Sequence, residues 1–355
     1  MKNRFLYIAI IALLLSACSE SEIDNGQQQG LMPVLFSAGT TETAVTRATA
    51  AYMPKDSRFV CSMFFYAGAN DADTTAFYTG TPTPEVNMAT RSLIIENELG
   101  SAKYENSNSL YWQNRRKHIF LALADNNKLG DTTLKLYPDV TTKVGDDYML
   151  SYDLTRGEKT AMSEQPDPIQ AIVKMSPAGA TAESNRVKLF FKHQFAQIQV
   201  NLKGSQNESA IITDAQIDSV ELIGVAETGY VGYCINEKGE VPATDSKTIN
   251  VDNSFCLFER GSVPTGYLKS FEGIAFGTLH GIRITWRESA DRNSVKHVAT
   301  FKGIEKDKKK LKSGMKYVYN MELRRSTIAQ VSANITAWEE DPSDYNANGT
   351  IDKNQ

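Results

Sequence analysis

Apolar and polar residues alternate with a period of two along several stretches of this chain, a pattern a helix would scatter around its axis. In Gln197–Lys203 the aliphatics Ile198, Val200 and Leu202 share one face, and Gln197, Gln199, Asn201 and Lys203 share the other. Val331, Ala333, Ile335 and Ala337 alternate in the same way with Gln330, Ser332, Asn334 and Thr336. Tyr317–Leu323 and His280–Trp286 repeat the pattern, and Val295–Phe301 follows the latter across the polar turn Ser289–Asn293, as a hairpin requires. Phe59–Tyr66, His118–Leu123, Tyr148–Tyr152 and Ile169–Met175 are rich in strand-forming residues and separated by turn-formers such as Ala67–Asp73, Thr79–Pro84 and Glu164–Pro168. Helical turns are expected only near Asp125–Leu129 and Asp214–Ile217. The chain is therefore expected to be all-β: two antiparallel β-sandwiches in tandem, residues 31–185 and 186–340, with a seam at Ser176–Thr181. A polar tail, 341–355, follows.

Composition narrows the function classes. A chain of 355 residues with 41% hydrophobic and 23% charged residues is neither disordered nor a polytopic membrane protein. With 38 basic and 42 acidic residues, net charge -4, it has no broad electrostatic case for nucleic acid as a partner.

The first residues set the compartment. Lys2 and Arg4 precede an apolar run, Phe5–Leu15, of 11 residues, too short for a spanning helix, which needs about 20. Residues 1–17 read as a signal peptide. Leu15-Ser16-Ala17-Cys18 resembles a bacterial lipobox, in which the Cys18 thiol receives the lipid that holds the protein to a membrane. Loss of Lys2 and Arg4 with that peptide leaves 36 of the 38 basic residues against 42 acidic, a charge of -6. Residues 18–30, with Glu20, Glu22 and Asp24, read as a flexible acidic tether. Of the remaining cysteines, Cys61 and Cys256 lie among apolar residues and read as small core hydrophobes, with a Cys234–Cys256 bridge as the alternative.

Catalytic chemistry is hard to find. The sequence contains no P-loop, dinucleotide-binding glycine pattern, nucleophile elbow or HExxH. His118, His193, His280 and His297 stand singly in or beside strands, and no ligand spacing recurs, so no enzyme activity is expected. The basic run Lys306–Gly314 reads as a solvated loop ahead of a strand at Met315. Trp112, Trp286 and Trp338 read as core or interface residues rather than a sugar platform. One constellation is sharper: Asp344, Asn346, Asn348 and Asp352 occupy positions 1, 3, 5 and 9 of a calcium-type loop, with Gly349 at position 6. Position 12 is Gln355 instead of a bidentate glutamate, and a plain polar tail accounts for the same residues. Calcium there is the one cofactor the sequence offers.

Taken in order, the lipobox, Pro33–Gly39, Thr46-Arg47-Ala48, Phe191–Leu202, Tyr317–Leu323 and Ile335–Trp338 resemble the fimbrillin-like family, the type V pilins of Bacteroidetes. The resemblance implies two transthyretin-like β-sandwiches and a fimbrial subunit at the outer-membrane surface, serving adhesion. It also implies cleavage after a loop arginine, here Arg47–Ala48, and loss of the first strand, here about Met32–Ala38 with Val34, Leu35 and Phe36. A strand from another subunit then fills the open sheet edge. The implied partners are other fimbrial subunits, the membrane through the lipid, and a host or bacterial surface ligand. The tail after Trp338 carries only Tyr345 and Ile351 as large apolar residues, so either Thr327–Trp338 is the donor strand or the chain does not donate. A non-polymerising surface lipoprotein, either an anchor or a glycan- or protein-binding module, is the alternative.

Overall fold

The computed structural model of the chain describes residues 32–39, 52–66, 86–115, 117–130, 149–205, 212–232, 254–304, 310–324 and 328–337. In chain order the strands are β1 (Phe36–Gly39), β2 (Arg58–Tyr66), β3 (Val86–Ile95), β4 (Ser101–Tyr104), β5 (His118–Asp125), β6 (Met149–Asp153), β7 (Pro168–Met175), β8 (Val187–Phe190), β9 (Lys192–His193) and β10 (Ala196–Gly204). There follow β11 (Ile217–Val225), β12 (Thr228–Gly232), β13 (Ser254–Cys256), β14 (Phe258–Glu259), β15 (Lys269–Ala275), β16 (Gly277–Arg287), β17 (Lys296–Phe301), β18 (Met315–Leu323) and β19 (Ile328–Ala337). The protein is all-β as expected, and the two sites expected to be helical are short 3-10 turns, Asn126–Lys128 and Asp214–Gln216.

The N-terminal half forms one eight-stranded sheet in the order β8-β1-β4-β3-β2-β5-β7-β9. Its inward side chains, among them Val34, Phe36, Phe59, Leu93, Trp112, Phe120 and Leu189, make a single core. The two terminal strands, β8 and β9, are separated only by Phe191. One segment thus bonds to β1 through β8 and to β7 through β9, bringing the sheet's two ends together around the core. The sequence placed residues 186–191 at the start of the second unit; the structure corrects this. They close the first sheet, and the second set of sheets begins at Ala196. The turn chemistry of Ser176–Thr181 is real, but it precedes a strand that returns to its own sheet.

In the C-terminal half a five-stranded sheet, β14-β15-β10-β18-β19, packs on a four-stranded sheet, β13-β11-β16-β17. Ile198, Val200, Leu202, Leu222, Ile284, Trp286 and Tyr317 lie between them. Most neighbouring strands run antiparallel, but β1–β8 and β10–β18 run parallel. The hairpin expected across Ser289–Asn293 forms between β16 and β17, with Trp286 opposite His297. The polar face of β10 is not solvent-facing as alternation implied: Gln197, Gln199 and Asn201 are all buried. β10 lies mid-sheet, where the Gln199 and Asn201 amide N–H groups find acceptors while the buried Gln199 Oε1 has none among the described residues. Gln199 donates to Asn201, which donates to Asn320 and accepts from Ser270.

The halves are joined by more than the covalent chain. β6, from the first half, pairs with β12, from the second. The buried Gln165 amide donates to the Leu154 carbonyl at 2.7 Å and accepts from the Ile274 amide at 2.8 Å. Leu123, Phe195, Val231, Ile274 and Phe276 form a small apolar cluster at this joint.

Candidate functional site: the seat of the first strand

Period-two patterning gives β1 its job. Val34, Phe36 and Ala38 point inward and are essentially inaccessible, while Leu35 and Ser37 stand half-buried on the other face. The Phe36 ring meets Tyr104 and Phe120 edge-on, with centroids 6.2 and 5.7 Å apart. Burying the Val34 and Phe36 side chains contributes roughly 3–6 kcal/mol at 1.5–3 kcal/mol each.

Both edges of β1 are bonded. On one side the Val34 amide donates to Leu110, and the Ala38 amide to Gly100, each at 2.9 Å. On the other, the Leu35 and Gly39 carbonyls accept from the Val187 and Phe191 amides at 2.8 Å. Two side chains add clamps: Arg186 donates to the Phe36 carbonyl at 2.8 Å, and the Tyr104 hydroxyl to the Val34 carbonyl at 2.6 Å. Burial raises the Tyr104 pKa, so its hydroxyl stays a donor. Gly100 has φ +71 and sits so close that a Cβ there would lie 2.4 Å from the Ala38 oxygen. Without β1, the carbonyls of Leu110 and Gly100 and the amides of Val187 and Phe191 would lose partners over an apolar trough.

The end of β1 bears on the expected cleavage. Gly39 bridges Tyr52, and the Met53 amide donates to the Ala38 carbonyl at 3.2 Å. Gly39 and Tyr52 are therefore neighbours, and a break within residues 40–51 cuts the covalent link between β1 and β2. Arg47 and Ala48 lie in that stretch, outside the described residues, as do Cys18, Asp344, Asn346, Asn348 and Asp352. The structure joins Val34 and Phe36 to Tyr104, Gly100 and Arg186, which sequence reasoning missed. Gly100 carried a turn signal, whereas nothing local marks Tyr104 or Arg186.

β19, which covers one of the two donor alternatives, bonds only to β18 among the described strands. Val331, Ala333 and Ile335 are only partly buried on the C-terminal core, and Ser332, Asn334 and Thr336 are half-covered too.

Three of the four histidines pack against aromatic or acidic neighbours. His118 is buried between Phe65 and Trp112, and His297 is tilted over Trp286. His193 lies 2.8 Å from Asp167, whose backbone amide donates to Asp125, and Asn126 donates to Asp167. This buried knot pins β9 to β7 and the 3-10 turn at Asn126–Lys128. Burial, opposed by hydrogen bonds from the Asp167 and Asn127 amides, raises the Asp125 pKa. No group of three or more His, Cys, Asp or Glu among the described residues is placed to hold a metal ion. Cys61 is a buried free thiol, as expected, and Cys256 is half-buried and free among the described residues, while Cys234, its expected alternative partner, lies outside them. Trp112 and Trp286 are core residues, while Trp338 lies outside the described residues.

The fimbrillin-like family model matches residues 46–338, most of the chain. The chain belongs to the fimbrillin-like family. No curated protein matches this fimbrillin-like chain in sequence. Solved structures similar to it include a protein described as a cell adhesion protein from Bacteroides uniformis, 15% identical with TM-score 0.52, covering 86% of this chain and 99% of that one. A second, likewise described, from Bacteroides ovatus is 15% identical with TM-score 0.53, covering 87% and 99%. The tip fimbrial protein Mfa3 from Porphyromonas gingivalis, with C-terminal truncation, is 10% identical with TM-score 0.48, covering 86% and 99%. At 15% identity the Bacteroides structures establish the shared fold.

Proposed function

We propose that this fimbrillin-like protein is a fimbrial subunit, exported as a lipoprotein through Cys18 and cut between Arg47 and Ala48. β1 then leaves, and a strand of another subunit takes its seat. Family membership supports the coarser part, a fimbrial or cell-adhesion subunit at the cell surface and in contact with other subunits. The observation that carries the finer part is the seat itself. β1 is an inward-facing strand bonded on both edges, and the only backbone joining it to β2 runs through residues 40–51, whose ends are bridged. A cut at Arg47 would leave β1 held by non-covalent contacts alone, and its loss would expose two strand edges and an apolar trough.

The same clamps favour a second reading for any copy that escapes cleavage. With β1 retained and Arg186 and Tyr104 engaged, the first sheet has no vacancy, which suits an anchor subunit. The test is limited trypsin digestion of the exported chain, residues 18–355, followed by size-exclusion chromatography and N-terminal sequencing. A new terminus at Ala48, loss of the β1 peptide and growth into larger oligomers are expected. Resistance at Arg47, or a nick that leaves a stable monomer, overturns strand exchange and leaves the anchor reading.

A further inference from the structure

β9 pairs with β7 at Ile169–His193 and Gln170–Lys192, while β8, just before it in the chain, pairs with β1 instead. Carried on, the β7–β9 register would set Ile172 opposite Phe190 and Lys174 opposite Lys188. No ladder joins those residues, so the sheet forks there, and a groove of about 520 Å³ lies along the fork. The Val187 and Phe191 amides donate to the β1 segment, so the alternating Lys188 and Phe190 direct their backbone groups into the fork. The Gln194 amide donates to the Pro168 carbonyl, and the same alternation turns the backbone of Ile172 and Lys174 toward the fork from the other side.

The side chains follow the same rungs. Ala171, Val173, Val187 and Leu189 face the first core, which puts Ile172, Lys174, Lys188 and Phe190 on the outer surface. That surface carries an apolar rung, Ile172 at 44% exposure with the half-buried Phe190, beside a rung of two exposed lysines. Like charges facing each other across a sheet repel. Neither Lys174 nor Lys188 enters an ion pair among the described residues, whereas Lys192 and Gln194 have partners of their own. No carboxylate is among the described residues that line the groove. At its closed end the buried Gln170 amide nitrogen donates to the Gly232 carbonyl at 2.7 Å, which leaves Oε1 as an acceptor.

The width of the fork selects the occupant. Cα atoms of β7 and β8 still come within 8 Å of each other, and an inserted strand would need about 10 Å, two strand spacings. A polypeptide strand is thus too wide, whereas an anion with one apolar face is not. An acidic pyranose has that chemistry. Its carboxylate or sulfate would meet two lysines and the N–H groups of the fork, its C–H face the Phe190 and Ile172 side chains, and a hydroxyl the Gln170 oxygen. The groove volume lies within the range of small-ligand sites.

We propose that the fork between β7 and β8 binds an acidic sugar residue of a glycan, its anionic group between Lys174 and Lys188 and its ring over Phe190 and Ile172. The site is independent of strand exchange, because β1 lies on the opposite edge of β8.

The test titrates the exported chain, residues 18–355, with a sulfated, uronate-containing heparin disaccharide at low salt, followed by saturation-transfer NMR, with neutral lactose as the comparison. A net charge of -4 gives the chain no general attraction for anions, so saturable binding reports a local site. A Kd on the order of 1 mM is expected for two solvated ion pairs and one apolar contact, with transfer strongest to one face of the ring. Lys174→Gln and Lys188→Gln should each weaken binding about threefold, the scale of a solvated ion pair, with urea midpoints no lower than the parent's. Lys296→Gln, the same charge change on the exposed start of β17, should leave binding unchanged. The bound disaccharide should also protect Lys174 and Lys188 from acetylation relative to the exposed Lys103. Absence of saturable binding at tenfold the expected Kd, equal binding of lactose, or equal weakening by Lys296→Gln overturns the proposal. Protection of Lys103 in place of Lys174 and Lys188 does the same. Displacement of the disaccharide by an equal concentration of a short aspartate-rich peptide would refute the assignment to a sugar.

Discussion

Phe36→Ala tests whether β1 is an integral part of the first core. Phe36 is fully buried, with Tyr104 and Phe120 edge-on to its ring, and β1 is fixed along both backbone edges. The walls cannot easily collapse into the space a phenyl group leaves, so the loss should be about 3–5 kcal/mol. With a urea slope of roughly 2 kcal/mol/M, the midpoint of the first half should fall by about 2 M. Pulsed hydrogen exchange along a urea series separates the halves, with peptides from β2 and β5 reporting one core and those from β10 and β18 the other. Leu35→Ala is the control, because its half-buried side chain faces away from the core and should cost only about 1 kcal/mol. Equal losses for the two variants, or less than about 1 kcal/mol for Phe36→Ala, would show that β1 is peripheral and that its removal opens no trough worth filling.

Tyr104→Phe removes the clamp on the Val34 carbonyl and should lower stability by about 1 kcal/mol, with faster amide exchange in β1. Gly100→Ala places a Cβ against the Ala38 oxygen at a positive φ, so a loss of about 1–3 kcal/mol and a loosened β1 are expected in the same exchange experiment. Gln165→Leu strips the Ile274 amide of its acceptor at the joint. A cost of about 1–3 kcal/mol should appear as separated melting of the halves in calorimetry, and one unshifted transition would contradict it. The raised Asp125 pKa means the folded state disfavours the carboxylate. Its contribution to stability is full below the unfolded value of about 4 and is lost as pH rises through the higher folded value. Asp125→Asn keeps the acceptor oxygen without the charge, so urea midpoints should favour the variant at neutral pH, with the gap closing in acid.

Alternation made β10, β16, β17, β18 and β19 legible, and strand-forming composition made β2 and β5 so. It failed where the ladder itself is irregular. β11 has register shifts between Ile217 and Ser219 and between Ile223 and Val225, so its apolar residues do not keep period two. β15 interrupts its pattern with Glu272, paired to Arg260, and with Gly273, where a Cβ would meet the Leu257 side chain at 2.8 Å. The closing role of Val187–Phe190 was invisible because β8 pairs with β1, which lies 151 residues earlier, and such a partner leaves no local trace. The seat of β1 was legible only on one side: Val34 and Phe36 mark the strand, but Gly100, Tyr104 and Arg186 become its wall only through the fold.

The parallel pairing of β1 with β8 also has a mechanical meaning. The C-terminal half connects to β8 through Phe191–Phe195, at the end of the strand far from Arg186, while the segment before β1 enters at its opposite end, at Met32. A pull between that entry and the C-terminal half draws two parallel strands from opposite ends, loading their hydrogen bonds together in shear instead of peeling them one at a time. The β6–β12 pair and Gln165 share the load at the joint. A membrane-held copy with β1 in place would resist tension through the ladder that cleavage at Arg47 would give up.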